Sequence, residues 1–278
     1  MRISVLASGS GGNLLLVATA RAVVLIDAGL SPREFARRVG RLPAGPSGKL
    51  GPLPDALFIT HEHSDHSRCA SSYADQGVAV HATAGTRQAL GLPNHSFHEV
   101  RDGAQVVVGD LSIEPVALPH DAAEPVGYVI SDGVTRAGVL TDCGEDDEAV
   151  ARRYAGVDLL VLEFNHDPML LQAGPYPGWL KRRIASDRGH LSNVQAAGLL
   201  RRICKAGPPP RLVVLAHLSQ VNNRPGIAQR AALEVMKRPS AVLVAEQDQP
   251  TPWLDPAAPG GRVDALCGEQ LTLKLVTG

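Results

Sequence analysis

Short apolar runs separated by turn residues recur along the chain, and most have the length and composition of strands rather than helices. Residues 3–6, 14–17 and 22–26 are predicted strands, the first two joined by the turn Ser8-Gly9-Ser10-Gly11-Gly12-Asn13. Ser31 before Pro32 is a helix start, so a helix is expected from there to about Gly40. A Gly/Pro-rich loop covers 44–54, and the buried strand 56–60 then delivers its C-terminal end to His61. A helix over 66–75, a strand over 78–81 and a helix over 83–90 follow. Residues 105–108, 111–118, 126–131 and 137–141 form a run of antiparallel strands, followed by a helix over 145–154 and a strand over 157–164. Helices are expected at 178–185, 192–204 and 227–236, and strands at 211–216, 241–244 and 271–276, with a Pro/Gly-rich loop at 250–261.

Strands dominate the first half, and strands alternate with helices afterwards. The pattern fits an α+β architecture of two sheets packed face to face with helices outside. No repeat of fixed period and no low-complexity linker interrupts it, so one domain over residues 1–278 is expected.

Composition narrows the possibilities. Hydrophobic residues make up 44%, enough for a full core, but aromatics are only 4%, so that core is aliphatic and an extended aromatic platform for bases is excluded. A formal net charge of −1 excludes a chain that grips nucleic acid by bulk charge, so any attraction for phosphate has to be local or supplied by metal. Cys69, Cys143, Cys204 and Cys267 form no CxxC pair, which argues against a zinc ribbon, a dithiol redox motif or a disulfide framework and points to a reducing cytoplasm. No apolar run approaches the roughly 20 residues of a membrane span.

The strongest chemical signal is Thr60-His61-Glu62-His63-Ser64-Asp65-His66. His61, His63, Asp65 and His66 follow directly on a buried strand, and imidazoles and carboxylates at such density are the donor set of borderline divalent metals. His120, Asp142 and His217 each follow an apolar strand as well. Strand ends on one edge of a sandwich converge on a rigid base, which suits a shared metal cleft.

These residues carry a family resemblance. The pattern His61-x-His63-x-Asp65-His66, then His120, Asp142 and His217, resembles the full ligand set of the metallo-β-lactamase superfamily, and Asp27 matches that family's first motif. The resemblance implies a four-layer αββα sandwich with two mixed sheets and two divalent ions, zinc, manganese or iron. One ion would take His61, His63 and His120, the other Asp65, His66 and His217, with Asp142 bridging and Asp27 supporting the ligand loop. Two such ions about 3.5–4 Å apart lower the pKa of a shared water toward about 7. Asp65 would orient that water as well as bind metal.

Branches of the superfamily differ around this core. Lactam hydrolases proper lack a counterpart of His66, and flavodiiron oxidoreductases carry Glu where this chain has His63. Only 75 positions separate Asp142 from His217, too few for the domain inserted in β-CASP nucleases. Thioesterases of the glyoxalase II kind share the ligand set, so a thioester or lactone hydrolase stays open, as does a metal-stabilised regulatory binding module. The segment Gly189-His190-Leu191-Ser192-Asn193 resembles that of ribonuclease Z-type phosphodiesterases, where the His protonates the leaving oxygen, and Glu163 matches the acidic residue that precedes it.

Basic residues gather between Lys181 and Arg211, with Asp187 the one acidic residue among them, and could meet a phosphate backbone. Leu6-Ala7-Ser8-Gly9-Ser10-Gly11-Gly12-Asn13, Leu162-Glu163-Phe164-Asn165-His166-Asp167, Gly174-Pro175-Tyr176-Pro177 and Leu215-Ala216-His217-Leu218-Ser219 resemble the YycJ/WalJ-type branch. That resemblance implies 5′–3′ exonuclease-like action on DNA ends, with catalytic roles for Asp65, His190 and Glu163. Ser10, Asn13, Tyr176, Arg188, Ser192 and Asn193 are the expected substrate contacts. Tyr176 and Trp179 either stack on a terminal base or anchor the segment between Glu163 and His190, and the anchor is the favoured reading. The oligomeric state is left open, a homodimer included.

Overall fold

The computed structural model describes residues 1–45, 50–91 and 96–258, so the expected strand at 271–276, Cys267 and parts of the loops at 44–54 and 250–261 lie outside the described residues. The first sheet contains, in spatial order, β1 (Arg2–Ala7), β2 (Leu14–Ala18), β3 (Val23–Ile26), β4 (Ala56–Phe58), β5 (Ala79–Ala82) and β6 (Phe97–Glu99). Its first three strands are antiparallel, and β3 to β6 are parallel. The second sheet runs from β7 (Val106–Val108) through β8 (Leu111–Ala117), β9 (Val126–Ser131), β10 (Arg136–Leu140), β11 (Leu159–Glu163) and β12 (Leu212–Ala216) to β13 (Val242–Val244). Here β7 to β10 are antiparallel, as expected, and β10 to β13 are parallel.

The central strands are apolar on both faces because each sheet is covered twice, whereas β6 and β7 at the edges are partly exposed. Ile3, Val5, Val17, Val24, Ile26 and Phe58 of the first sheet meet Ile113, Tyr128, Ile130, Val139, Val161 and Val214 of the second in the central layer. The outer face of the first sheet packs against Phe35 of α1 (Pro32–Val39), Tyr73 of α3 (Ala70–Ala74) and Trp253. The outer face of the second packs against α5 (Glu148–Arg153), α8 (Asn193–Ala206) and α9 (Pro225–Met236), which bury Val150, Leu199, Leu200, Ile203, Ala228 and Ala232. This is the expected αββα sandwich, and its interior is mostly aliphatic.

Several boundaries differ from the sequence expectation for identifiable reasons. The helix expected at 66–75 is two pieces, α2 (Ser64–Ser67) and α3. The chain breaks there because the Cys69 amide donates to Ala28 O at 3.0 Å instead of continuing a helical ladder, and the Ala28 amide donates to His66 O at 2.6 Å. The helix expected from 145 starts at Glu148, since the Asp147 side chain accepts from the Val150 amide and caps it. The periodicity gave no sign of β6 or of α6 (Pro168–Ala173). The first is too polar to read as a strand. Asp167 before Pro168 is a cap-and-proline start that α6 uses, with the Asp167 carboxylate accepting from the Met169 and Leu170 amides. The remaining helices are α4 (Ala84–Leu90) and α7 (Gly178–Ile184).

Registers bring the ends of several strands to one edge. Leu140 pairs with Leu162 and Glu163 pairs with Ala216, so Asp142, Glu163 and His217 emerge side by side from β10, β11 and β12. Ile26 pairs with Phe58, which aligns Asp27 with the exit of β4. Two bonds lock this exit to the other sheet: Tyr128 Oη donates to Ile59 O at 2.7 Å and the Val126 amide to Thr60 O at 3.0 Å.

Tyr128 is fully buried. Removing its hydroxyl leaves the Ile59 carbonyl without a partner in a dry layer, so Tyr128→Phe is expected to lower unfolding free energy by about 1–3 kcal/mol. Equilibrium denaturation in urea measures it.

Candidate metal centre

The chain leaves β3, β10 and β12 through left-handed backbone at Asp27 (φ 67°), Asp142 (φ 59°) and His217 (φ 53°). Apart from Lys237, which ends α9, these are the non-glycine residues with positive φ among the described residues. Asp and His tolerate this conformation better than most residues, and it turns each side chain sharply off its strand into the gap between the sheets.

Asp27 is the hub beneath the ligand loop. Its Oδ1 accepts from the Thr60 amide at 2.9 Å and Thr60 Oγ1 at 2.8 Å, and its Oδ2 lies 2.7 Å from His66 Nδ1. Thr60 Oγ1 also lies 3.0 Å from His61 Nδ1. The Nε2 atoms of His61 and His66 are thereby turned toward the centre. Gly29 lets the chain pass: a Cβ there would stand 2.1 Å from Asp65 O.

Around this hub the expected donors converge into overlapping groups. His61, His63 and His120 form one, Asp65, His66 and His217 another, and His61, His66 and Asp142 a third, each with its donor atoms within 4.8 Å of one another. His120 Nε2 lies 3.2 Å from His63 Nδ1, His217 Nε2 3.2 Å from Asp65 Oδ2, and His66 Nε2 3.4 Å from Asp65 Oδ2. Those spacings are close to the edge, about 3.4 Å, of a tetrahedron of ligands around a zinc-sized ion.

Two atoms test the fit. His61 Nε2 is buried with no hydrogen-bond partner. Asp142 Oδ2 lies 2.9 Å from His66 Nε2 without the alignment of a hydrogen bond. Buried polar atoms that converge without bonding one another are what a cation would satisfy. The donor set fits a divalent metal of the zinc, manganese or iron kind.

Electrostatics agree. Burial opposes charge on every group here, yet His217 and His66 hold the Asp142 carboxyl well below the usual carboxylate range, and the same two imidazoles hold Asp65 down. Asp142 and Asp27 push His66 well above an ordinary imidazole, and Asp142 with Asp65 pushes His217 up to about 9. The carboxylates thus demand positive charge from whatever lies between them. His61 is the exception: burial, then the neighbouring His66, drives its pKa well below normal, so its Nε2 is a free lone pair.

Glu163 and His190 form a separate pair on the rim. His190 Nδ1 is 2.7 Å from Glu163 Oε1 and 3.2 Å from Asp142 Oδ1, which leaves Nε2 as the nitrogen facing the cleft. Glu163 Oε2 accepts from the Cys143 and Leu191 amides, so the fully buried carboxylate positions His190 rather than meeting solvent. Asp142, Glu163, His190 and His217 also lie within ligand distance of one another. Burial opposes it, but Glu163 and Asp142 push His190 up to about 10, and Glu163 itself, held by His190, falls to about 2.

The expected substrate contacts divide. Ser10 lines the cleft of about 330 Å³ together with His63, Ser64, Asp65, Asp142, Arg183, His190 and His217. Arg188 is exposed on the turn before His190, and Tyr176 is half-buried. Asn13, Ser192 and Asn193 are buried and bonded within the protein. Asn13 is buried, with Nδ2 3.0 Å from His66 Nε2 and Oδ1 accepting from the Gly9 amide. Ser192 is the buried cap of α8, in a reciprocal capping box with Gln195. Asn193 pairs its buried amide with that of Asn223.

The structure adds residues that sequence reasoning missed. Asn165 Nδ2 donates to His217 O at 3.0 Å and lies 3.2 Å from His217 Nδ1. Gly189 O lies 2.8 Å from His120 Nδ1 and fixes that ring. Asp121 Oδ1 stands 3.4 Å from His120 Nε2, and its Oδ2 accepts from Arg183 Nε at 2.5 Å. Asp121 directly follows a candidate ligand, which was a usable signal. Asn165 and Gly189 lie within the motifs quoted above, but their contacts with His217 and His120 are tertiary.

Asp27→Asn keeps a residue suited to left-handed backbone but loses the charge behind His66. The expected outcome is a metal affinity weaker by about 10–100-fold with the fold intact, read by titration of the apoprotein with Zn²⁺.

Comparison with known proteins follows the same lines. Residues 23–218 match the family described as the beta-lactamase superfamily domain. The exodeoxyribonuclease YycJ of Bacillus anthracis is 31% identical over 243 residues, covering 85% of this chain and 89% of its own. The exodeoxyribonuclease WalJ of Streptococcus pneumoniae is 33% identical over 230 residues, covering 80% and 83%. Among solved structures, the metallo-beta-lactamase fold protein YhfI of Bacillus subtilis superposes with a TM-score of 0.64 at 16% identity, covering 90% of this chain and 98% of its own, a likeness of fold. The fold, the clustered donors and the relatives agree: this chain belongs to the beta-lactamase superfamily, in the family of the YycJ and WalJ exodeoxyribonucleases.

Proposed function

We propose that the protein is a metal-dependent phosphodiesterase that removes nucleotides from the end of a DNA strand. The observation that carries this reading is the Glu163–His190 pair, 2.7 Å apart, on the rim of the donor cluster. A phosphodiester has a poor alkoxide leaving group and needs an acid beside it, whereas a thioester does not. The names of the YycJ and WalJ relatives support DNA as the substrate.

In this reading His61, His63 and His120 hold one divalent ion, Asp65, His66 and His217 a second, and Asp142 serves both. Such a pair supplies a water of lowered pKa and neutralises charge on the phosphoryl oxygens. The chain's own residues do the rest. Asp65, half-buried at the cleft, orients the attacking water. Glu163, 2.7 Å from His190 Nδ1, favours the protonated ring, and His190 Nε2 gives its proton to the oxygen that leaves as the P–O bond breaks. Afterwards Glu163, bonded to Nδ1, holds the ring in place for reprotonation from solvent. The free thiols Cys69, Cys143 and Cys204 support a reducing compartment such as the cytoplasm, and no described helix is long and apolar enough to cross a membrane.

His190→Ala is expected to lower kcat on end-labelled single- or double-stranded DNA by about 10²–10⁴-fold while bound metal, measured by elemental analysis, stays at the wild-type level. His63→Ala is expected to lose both metal and cleavage. Strong turnover of a thioester by the wild type, with neither DNA nor bis(p-nitrophenyl) phosphate cleaved, would overturn the reading in favour of a thioesterase.

A further inference from the structure

The basic segment between Lys181 and Arg211 splits in two. Arg201, Arg202 and Lys205 lie along α8, about 12–18 Å beyond its cleft-side start at Asn193. Arg211 precedes β12, at the opposite end of the strand from His217, and pairs with Asp158. Lys181, Arg182 and Arg183 lie on α7 and Arg188 on the turn that follows it, and Arg183 lines the cleft.

The helix α7 is unusual in this molecule. It buries none of its side chains. Trp179 is 62% exposed, so most of its surface is free of packing, where the favoured sequence reading has it anchoring the segment. Every other Phe, Tyr and Trp of the chain is buried or half-buried. A protein with so few aromatics gains core stability from each one it buries, and this one is spent on the surface. The ring has no cation–π partner among the described residues.

Position makes the exposure informative. Trp179 and Arg183 are four residues apart, hence on one face of α7, about one helical turn from each other. Arg183 lines the cleft with His63, Asp65, His190 and His217 and is steered there by Asp121. Arg182 and Arg188 form no ion pair among the described residues, so cationic charge remains beside Trp179 although Arg183 itself pairs with Asp121. The helix is also tied to the chemistry: the His190 amide donates to Ile184 O at 2.9 Å. Gly189 fits beneath α7 only without a Cβ, which would stand 2.2 Å from Arg183 O.

We propose that α7 is a clamp for a single nucleic-acid strand: Arg183 takes a backbone phosphate at the cleft and Trp179 stacks on a base one helical turn further out. An exposed indole stacks on an unpaired base or on the outer face of a terminal pair, so the strand it takes is single-stranded or presented at a duplex end. The clamp rests on the phosphodiesterase reading and specifies the substrate form for that same site.

The test uses the full-length, metal-loaded protein with end-labelled oligothymidylate over a range of salt concentrations. Trp179→Ala is expected to raise KM by about 5–150-fold with a smaller change in kcat, and Trp179→Phe to restore most of the loss. Arg183→Ala is expected to flatten the slope of log kcat/KM against log salt by about 0.7, the value for one single-strand phosphate contact. Metal content and thermal unfolding identify any variant that is merely misfolded. If the wild type degrades the strand and both variants keep its KM and salt slope, the clamp is wrong and the phosphodiesterase reading stands. If the wild type cleaves no nucleic acid, that reading falls and takes the clamp with it. If Trp179→Ala instead turns a dimer into a monomer at unchanged KM, the indole serves a second copy of the chain and the proposal is overturned.

Discussion

Three buried carboxylates, Asp27, Asp142 and Glu163, and the half-buried Asp65 lie within one cluster of imidazoles at the edge of the sandwich. Burying that much negative charge is costly unless positive charge sits among it. Everything else at this edge can be understood as a response. Strand ends kink to aim the donors inward, Thr60 and Asn165 hold the rings in one orientation, and Asp27 supplies a counter-charge from below. A divalent ion is the simplest source of the missing charge, and it brings the chemistry of a hydrolase with it.

The two-sheet core explains why such a cluster can exist without collapsing. Its donors come from the ends of strands in both sheets, and Tyr128 and Val126 tie those ends together directly beneath the ligand loop. Aliphatic layers on each side of each sheet supply the stability that the polar edge consumes, at about 1.5–3 kcal/mol for each fully buried side chain of Leu or Ile size. The cleft is therefore built on the stiffest part of the molecule, while α7 stands outside the packed layers.

Sequence reasoning was most informative where local chemistry and local pattern coincide. The seven donors could be recognised because four of them crowd into the six residues after one apolar strand and the other three each follow another. The layered architecture was equally legible, since a covered sheet leaves continuous apolar runs. What escaped depended on distant partners. Nothing local marks Gly189 O as the acceptor for His120, or Asn193 as the partner of Asn223 instead of a substrate contact. The break between α2 and α3 was hidden because it arises from Ala28, about 40 positions earlier in the chain, whose backbone captures the Cys69 amide. Trp179 misled for the opposite reason: an isolated Trp in an apolar-poor segment is usually an anchor, and only the exposed surface of α7 shows otherwise.

The left-handed turns at Asp27, Asp142 and His217 also constrain how this scaffold can evolve. A branched or bulky replacement at any of them adds a backbone penalty of about 1–3 kcal/mol to whatever it does to the ligand set. His61, His63, Asp65, His66 and His120 adopt no such conformation. Exchanging donors, and with it the preferred ion, is therefore open to many side chains at the loop positions, while the strand ends favour Asp, Asn and His. Drift in metal preference across related proteins should be concentrated in those five donors, with Asp142 and His217 restricted by backbone geometry as well as by chemistry.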